Sequence, residues 1–116
     1  MDNELIKLAL NEIADALNDS YEKPVSLALI LGQIGATSRT FKDILIETRV
    51  KLINNKNADV HSMTIEDFRS FFTDINAKFE HVNDETILAV LNYLAKSYIE
   101  ELADVSQKLT TEFKNK

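Results

Sequence analysis

The stretch Ile30-Leu31-Gly32-Gln33-Ile34-Gly35-Ala36-Thr37-Ser38-Arg39-Thr40-Phe41-Lys42-Asp43-Ile44-Leu45 holds both glycines of this 116-residue chain. Ile30 and Leu31 close one helix on its apolar side. Gly35 then supplies a left-handed turn, since it has no Cβ to clash at positive φ. Thr37 or Ser38 can cap a following helix with a hydroxyl, and Phe41, Ile44 and Leu45 recur at spacings of three and one that give that helix a buried side. Two helices therefore meet at a tight corner. Ser38, Arg39 and Lys42 point away from the buried side, with Thr40 near the boundary.

Upstream, Asp2 or Asn3 can cap a helix to about Leu17 whose Leu5, Ile6, Ala9, Ile13, Ala16 and Leu17 form one apolar stripe. The turn formers from Asn18 to Pro24 end it. Ser26 opens a short helix through about Gln33, with Leu27, Ile30 and Leu31 inward. Downstream, the helix begun at Thr37 or Ser38 either stops near Glu47 or continues through Arg49 to Ile53. Val50 to Ile53 and Ala58 to Met63 flank an Asn-rich turn, which reads as a small β-hairpin over 50–63 or as a helix end and loop.

Thr64 with Glu66 and Asp67 starts a helix whose Ile65, Phe68, Phe71, Phe72, Ile75 and Phe79 bring most of the aromatic core. Asn83 or Asp84 opens a last helix to about Phe113, along which Ile87, Leu91, Leu94, Tyr98, Leu102, Val105, Leu109 and Phe113 recur at spacings of three and four. Such a helix would be about 45 Å long, more than a domain this size covers. Part of its stripe is expected against another chain, although an intramolecular core remains open.

The expected fold class is mainly α: one domain over 1–116, with a corner half (1–63) and a helical half (64–116) that dimerises. The absence of cysteine excludes a disulfide scaffold, a thiol nucleophile and cysteine zinc sites. The start is acidic where a secretory signal is basic, and the longest apolar run, Val25 to Ile34, is too short to span a bilayer. A cytoplasmic protein without a membrane partner is expected.

The net charge of −6 disfavours phosphate binding until its distribution is read. Residues 1–22 carry six acids and one base, and residues 57–116 carry eleven acids and six bases. Residues 23–56 instead hold Lys23, Arg39, Lys42, Arg49, Lys51 and Lys56 against Asp43 and Glu47. The chain is basic where the corner lies and acidic on both sides, an asymmetry that concentrates a field on one face.

Residues 30–45 resemble the helix-turn-helix of bacterial and phage DNA-binding regulators, with the pattern Leu-Gly-Val-Ser-x-x-Thr-Val-x-x-Ile-Leu. Ile34, Gly35, Ala36, Thr37, Thr40, Phe41, Ile44 and Leu45 fill the matching places. Leu31 departs from it, standing where that family has alanine; a bulky residue there pushes the helices apart, and Gly32 beside it is an offset. Over Val25 to Met63 the layout is also similar to winged-helix modules, including the LOTUS type that binds RNA or proteins, without its glycine-aromatic signature.

The resemblance implies a sequence-specific DNA-binding protein, a small homodimeric transcription regulator whose reading helices lie about 34 Å apart, matching one turn of duplex. Thr37, Ser38, Arg39, Thr40, Lys42, Arg49, Lys51 and Lys56 are the candidate nucleic-acid contacts. Arg39 is assigned to a base edge, because a guanidinium grips guanine in two places. Thr37 and Ser38 suit phosphate at a helix N-terminus. RNA in place of DNA remains open.

No cofactor, metal or catalytic residue is expected. His61 and His81 lack a partner at helical zinc spacing, and Glu66/Asp67 and Glu100/Glu101 are adjacent, so each pair diverges on a helix. No P-loop, dinucleotide glycine pattern or nucleophile elbow occurs. The alternative to a DNA reader is an acidic helical protein-interaction module, an adaptor or a phage-type inhibitor.

Overall fold

The computed structural model describes residues 2–54 and 58–116, and among these every regular element is helical. Helix α1 (Asn3–Ala16) is capped by Asp2, whose Oδ1 accepts the Leu5 N–H at 2.7 Å. Helix α2 (Leu27–Gln33) is capped by Ser26, whose Oγ accepts the Leu29 N–H at 3.1 Å. Helix α3 spans Ser38–Asn54, α4 Ala58–His61 and α5 Ile65–Ile75. Thr64 and Asp67 close a reciprocal capping box at the start of α5, at 2.9 and 3.1 Å. Helix α6 (Asp84–Ser97) and α7 (Ala103–Lys114) complete the chain.

Helix α6 is the hub. Its run Ile87-Leu88-Ala89-Val90-Leu91 is buried without interruption, because α2, α5 and α7 pack around it. A helix apolar all round belongs inside. Phe68 and Phe72 of α5, and Phe79 from the following 3-10 turn, fill the adjoining core with ring centroids 6.2 and 5.4 Å apart. The aromatic set is thus packing material, at its expected helical spacing.

Two expectations are corrected. The first concerns the hairpin over 50–63. Val50 to Ile53 is the last turn of α3, and no strand is present among the described residues. Leu52 extends the buried line Thr40, Ile44, Thr48, so spacing of four on the core side overrides the β-branched composition. Residues 55–57 of that turn, with the candidate Lys56, lie outside the described residues.

The second concerns the long C-terminal helix, which is broken. The Leu94 carbonyl accepts both the Tyr98 N–H (3.0 Å) and the Ile99 N–H (2.6 Å), and a 3-10 turn at Glu100–Leu102 sends α7 back along α6. Asn92 then donates to Thr110 at 3.2 Å across the pair. Folding the stripe in half lets Leu91, Leu94, Leu102, Val105 and Leu109 cover one another. Those apolar positions of the stripe are therefore covered within the chain.

On α1 the apolar stripe is left largely exposed. Ala14 is its single buried residue, while Leu5, Ile6, Leu8, Ile13 and Leu17 are 40–57% exposed. Contact with α2 is made along one edge of that stripe, where Leu10, Ile13 and Leu17 line a cleft with Val25, Ala28 and Leu29, and Gln33 donates to Asn11 at 3.1 Å. No helix of the described residues is long and apolar enough to cross a membrane.

Candidate nucleic-acid interface

The corner between α2 and α3 closes as a Schellman turn. The Ala36 N–H donates to the Leu31 carbonyl at 2.9 Å and the Gly35 N–H to the Gly32 carbonyl at 3.2 Å, with Gly35 at φ +81°. Thr37 then opens α3, its Oγ1 accepting the Thr40 N–H at 3.4 Å. Leu31 is buried, and a cleft of about 320 Å³ remains between the helices, lined by Leu31, Gly32, Ala36, Thr37, Phe41 and Lys42. Gly32 plays a different part from the one expected: a Cβ there would stand 3.1 Å from Leu10 Cδ1, so it makes room for α1 rather than α3.

Helix α3 has two well-separated sides. Thr40, Ile44, Thr48 and Leu52 are buried, whereas Arg39, Lys42, Ile46, Arg49, Val50 and Ile53 are exposed. The steps from 39 to 42, 46, 49 and 53 alternate three and four, so these residues share one face. Its first two turns are cationic, and its last two mix Arg49 with aliphatic side chains.

Of the candidate contacts, Thr37, Ser38, Arg39, Lys42 and Arg49 are exposed. The Arg39 side chain is 83% exposed and its Nε reaches Asp43 at 3.2 Å, an exposed ion pair of little stabilising value that an incoming anion can replace. Arg49 donates to the Tyr98 carbonyl at 3.1 Å, which anchors it over the α6–α7 turn. Two candidates leave the group. Thr40 is 4% exposed and its Oγ1 accepts from Asn76 Nδ2 at 2.8 Å; Lys51 turns to α5, its ammonium 5.1 Å from the Phe71 ring centroid.

One residue joins that residues 30–45 could not announce. Asn76 holds Thr40 and also accepts the Lys78 N–H at 2.9 Å, which brings the end of α5 to the corner. The Lys78 ammonium lies 3.4 Å from where a Cβ on Gly35 would stand. It lies far from the corner in the chain, so only the packing of α5 on α3 could place it there.

Away from the corner, Arg69 is a structural tie. Arg69, 13% exposed along its side chain, bonds Asp84, Glu66 and the Val82 carbonyl, the last at 3.2 Å, and so ties α5 to the start of α6. The hydrogen bond to Asp84 leads in raising its pKa above the ordinary arginine value, against the cost of burial. Among the described residues no group of three His, Asp or Glu side chains is placed to hold a metal ion. Comparison with family models, with characterised proteins and with solved structures gives no match.

Proposed function

We propose that this chain binds duplex DNA through the N-terminal turns of α3, in the manner of a small sequence-specific regulator. The observation that carries the reading is the exposed line Arg39–Lys42 directly after a capped, glycine-closed corner. The opening N–H groups of a helix have no partner within it and carry the positive end of its dipole, so Thr37 and Ser38 suit a phosphate oxygen. Residues at that end are also the ones a reading helix brings to base edges. Arg39 takes the base, Lys42 a base or phosphate, and Arg49 and Lys78 phosphates further out.

The test is a mobility-shift titration against a random duplex pool at two salt concentrations, with the same pool as RNA in parallel. Duplex affinity is expected to fall with salt at a log–log slope of about −0.9 per phosphate contacted. Arg39→Ala with Lys42→Ala is expected to abolish the shift. Absence of any duplex binding at low salt refutes the reading; preference for the RNA pool changes its ligand.

A second reading is supported by Glu100, Glu101 and Asp104, which are all exposed at the α6–α7 turn. As a protein-interaction module the chain would dock a basic partner there. Duplex binding would then be absent, and charge reversal at these three positions would break the complex.

A further inference from the structure

Two helices leave apolar faces without a partner, and the two faces differ in charge. On α1, Leu5, Ile6, Ile13 and Leu17 are at least 40% exposed along one side, Ile13 and Leu17 also bordering α2, on a helix bearing Asp2 at its cap, Glu4, Glu12 and Asp15 against Lys7 alone. On α3, Ile46, Val50 and Ile53 are 42–75% exposed beside Lys42 and Arg49, on a helix where Arg39, Lys42, Arg49 and Lys51 outnumber Asp43 and the exposed Glu47. Contiguous exposed apolar patches, once larger than roughly a few hundred Å², mark interaction surfaces.

The two helices are opposite in net charge. At 1.5 Å per residue, Leu5 to Leu17 covers about 18 Å and the aliphatic line Ile46 to Ile53 about 10 Å, with Lys42 extending that line toward the start of α3. Pairing α1 with another α1 would bring acid against acid. Pairing α1 with α3 brings an acidic helix against a basic one and covers aliphatic side chains on both.

We infer that a second copy of this chain docks here, the α1 of each copy lying along the α3 of the other. Such a contact is isologous: each chain offers both faces, so two copies close the set with four helices in two equivalent seams. Glu12 lies beside the α1 stripe and meets Lys42 or Arg49 at the rim. The seam takes in Lys42 and Arg49, so a docked copy and a duplex would compete for this face of α3, and the inference stands apart from duplex binding.

The test is sedimentation equilibrium of the full chain over a wide concentration range, with circular dichroism to verify that each variant stays helical. A dimer is expected, and Ile6→Ser with Ile13→Ser, or Ile46→Ser with Ile53→Ser, should each weaken it about tenfold or more. Mixing the two double variants should recover a heterodimer, because one of the two seams is then intact. A monomer at the highest concentrations overturns the inference. So does a dimer indifferent to the α3 changes, or a mixture that recovers no heterodimer, either of which would place the contact elsewhere.

Discussion

A methyl group added at Gly35 would meet only the flexible end of Lys78, so space is not what this position requires. Its φ of +81° is, because an L side chain in the left-handed region costs roughly 1–2 kcal/mol. Gly35→Ala should lower stability by about that amount, and Gly35→Asn by less, since asparagine tolerates this conformation; chemical denaturation measures both. Thr48 offers the reverse case. It is 2% exposed and its Oγ1 has no hydrogen-bond partner among the described residues, so its desolvation goes uncompensated. Thr48→Val keeps the shape and removes the hydroxyl, and should raise the unfolding free energy by about 1 kcal/mol.

At the scale of elements, the joints are polar and the bodies apolar. Arg69 fastens α5 to α6 through Glu66, Asp84 and the Val82 carbonyl. Glu66 is 72% exposed and Asp84 37%, so solvent screens much of the attraction. Arg69→Ala should therefore cost a modest ~1–2 kcal/mol in denaturant melts. Helix α1 is the weakest-held element. Fourteen residues of isolated helix are marginal in water, and here a single buried alanine, the half-open edge of Leu10, Ile13 and Leu17 against α2, and one amide pair secure it. Amide hydrogen exchange should consequently be fastest in α1 among the helices longer than one turn, and slowest in α6.

For the whole molecule, the decisive event is the return of α7 along α6. Leu102, fully buried, lies at that fold. If its burial is intrachain, as here, Leu102→Ala should destabilise by about 2–5 kcal/mol, with a drop in melting temperature independent of protein concentration. A seam between chains would instead make that drop depend on concentration. Charge is also organised at this scale: the acids outnumber the bases over the whole chain, while α3 and Lys78 gather cations around one corner. The exposed cationic line therefore lies within an otherwise acidic molecule, which disfavours indiscriminate adhesion to polyanions.

Much of this was written locally. The Asp2, Ser26, Thr64 and Asn83 caps, the left-handed Gly35 and the phenylalanine spacing follow from groups within a few residues of one another, and sequence displays such relations directly. Arg39 and Lys42 were legible as a free face for the same reason. What lay beyond reach was every choice among competing long-range partners. The continuous stripe from Ile87 to Phe113 carries neither glycine nor proline at its break, so nothing between Ser97 and Leu102 marks the fold-back that self-coverage makes favourable. The α1 stripe was correctly apolar, yet α2 covers it only along one edge, beside Leu10. Thr40 left the surface because Asn76 reached it, and Lys78 entered because α5 ends there. Local hydrogen bonding and periodicity are properties of a segment; which face is covered, and by what, depends on the area each alternative removes from water, a quantity that exists only once the chain has been assembled.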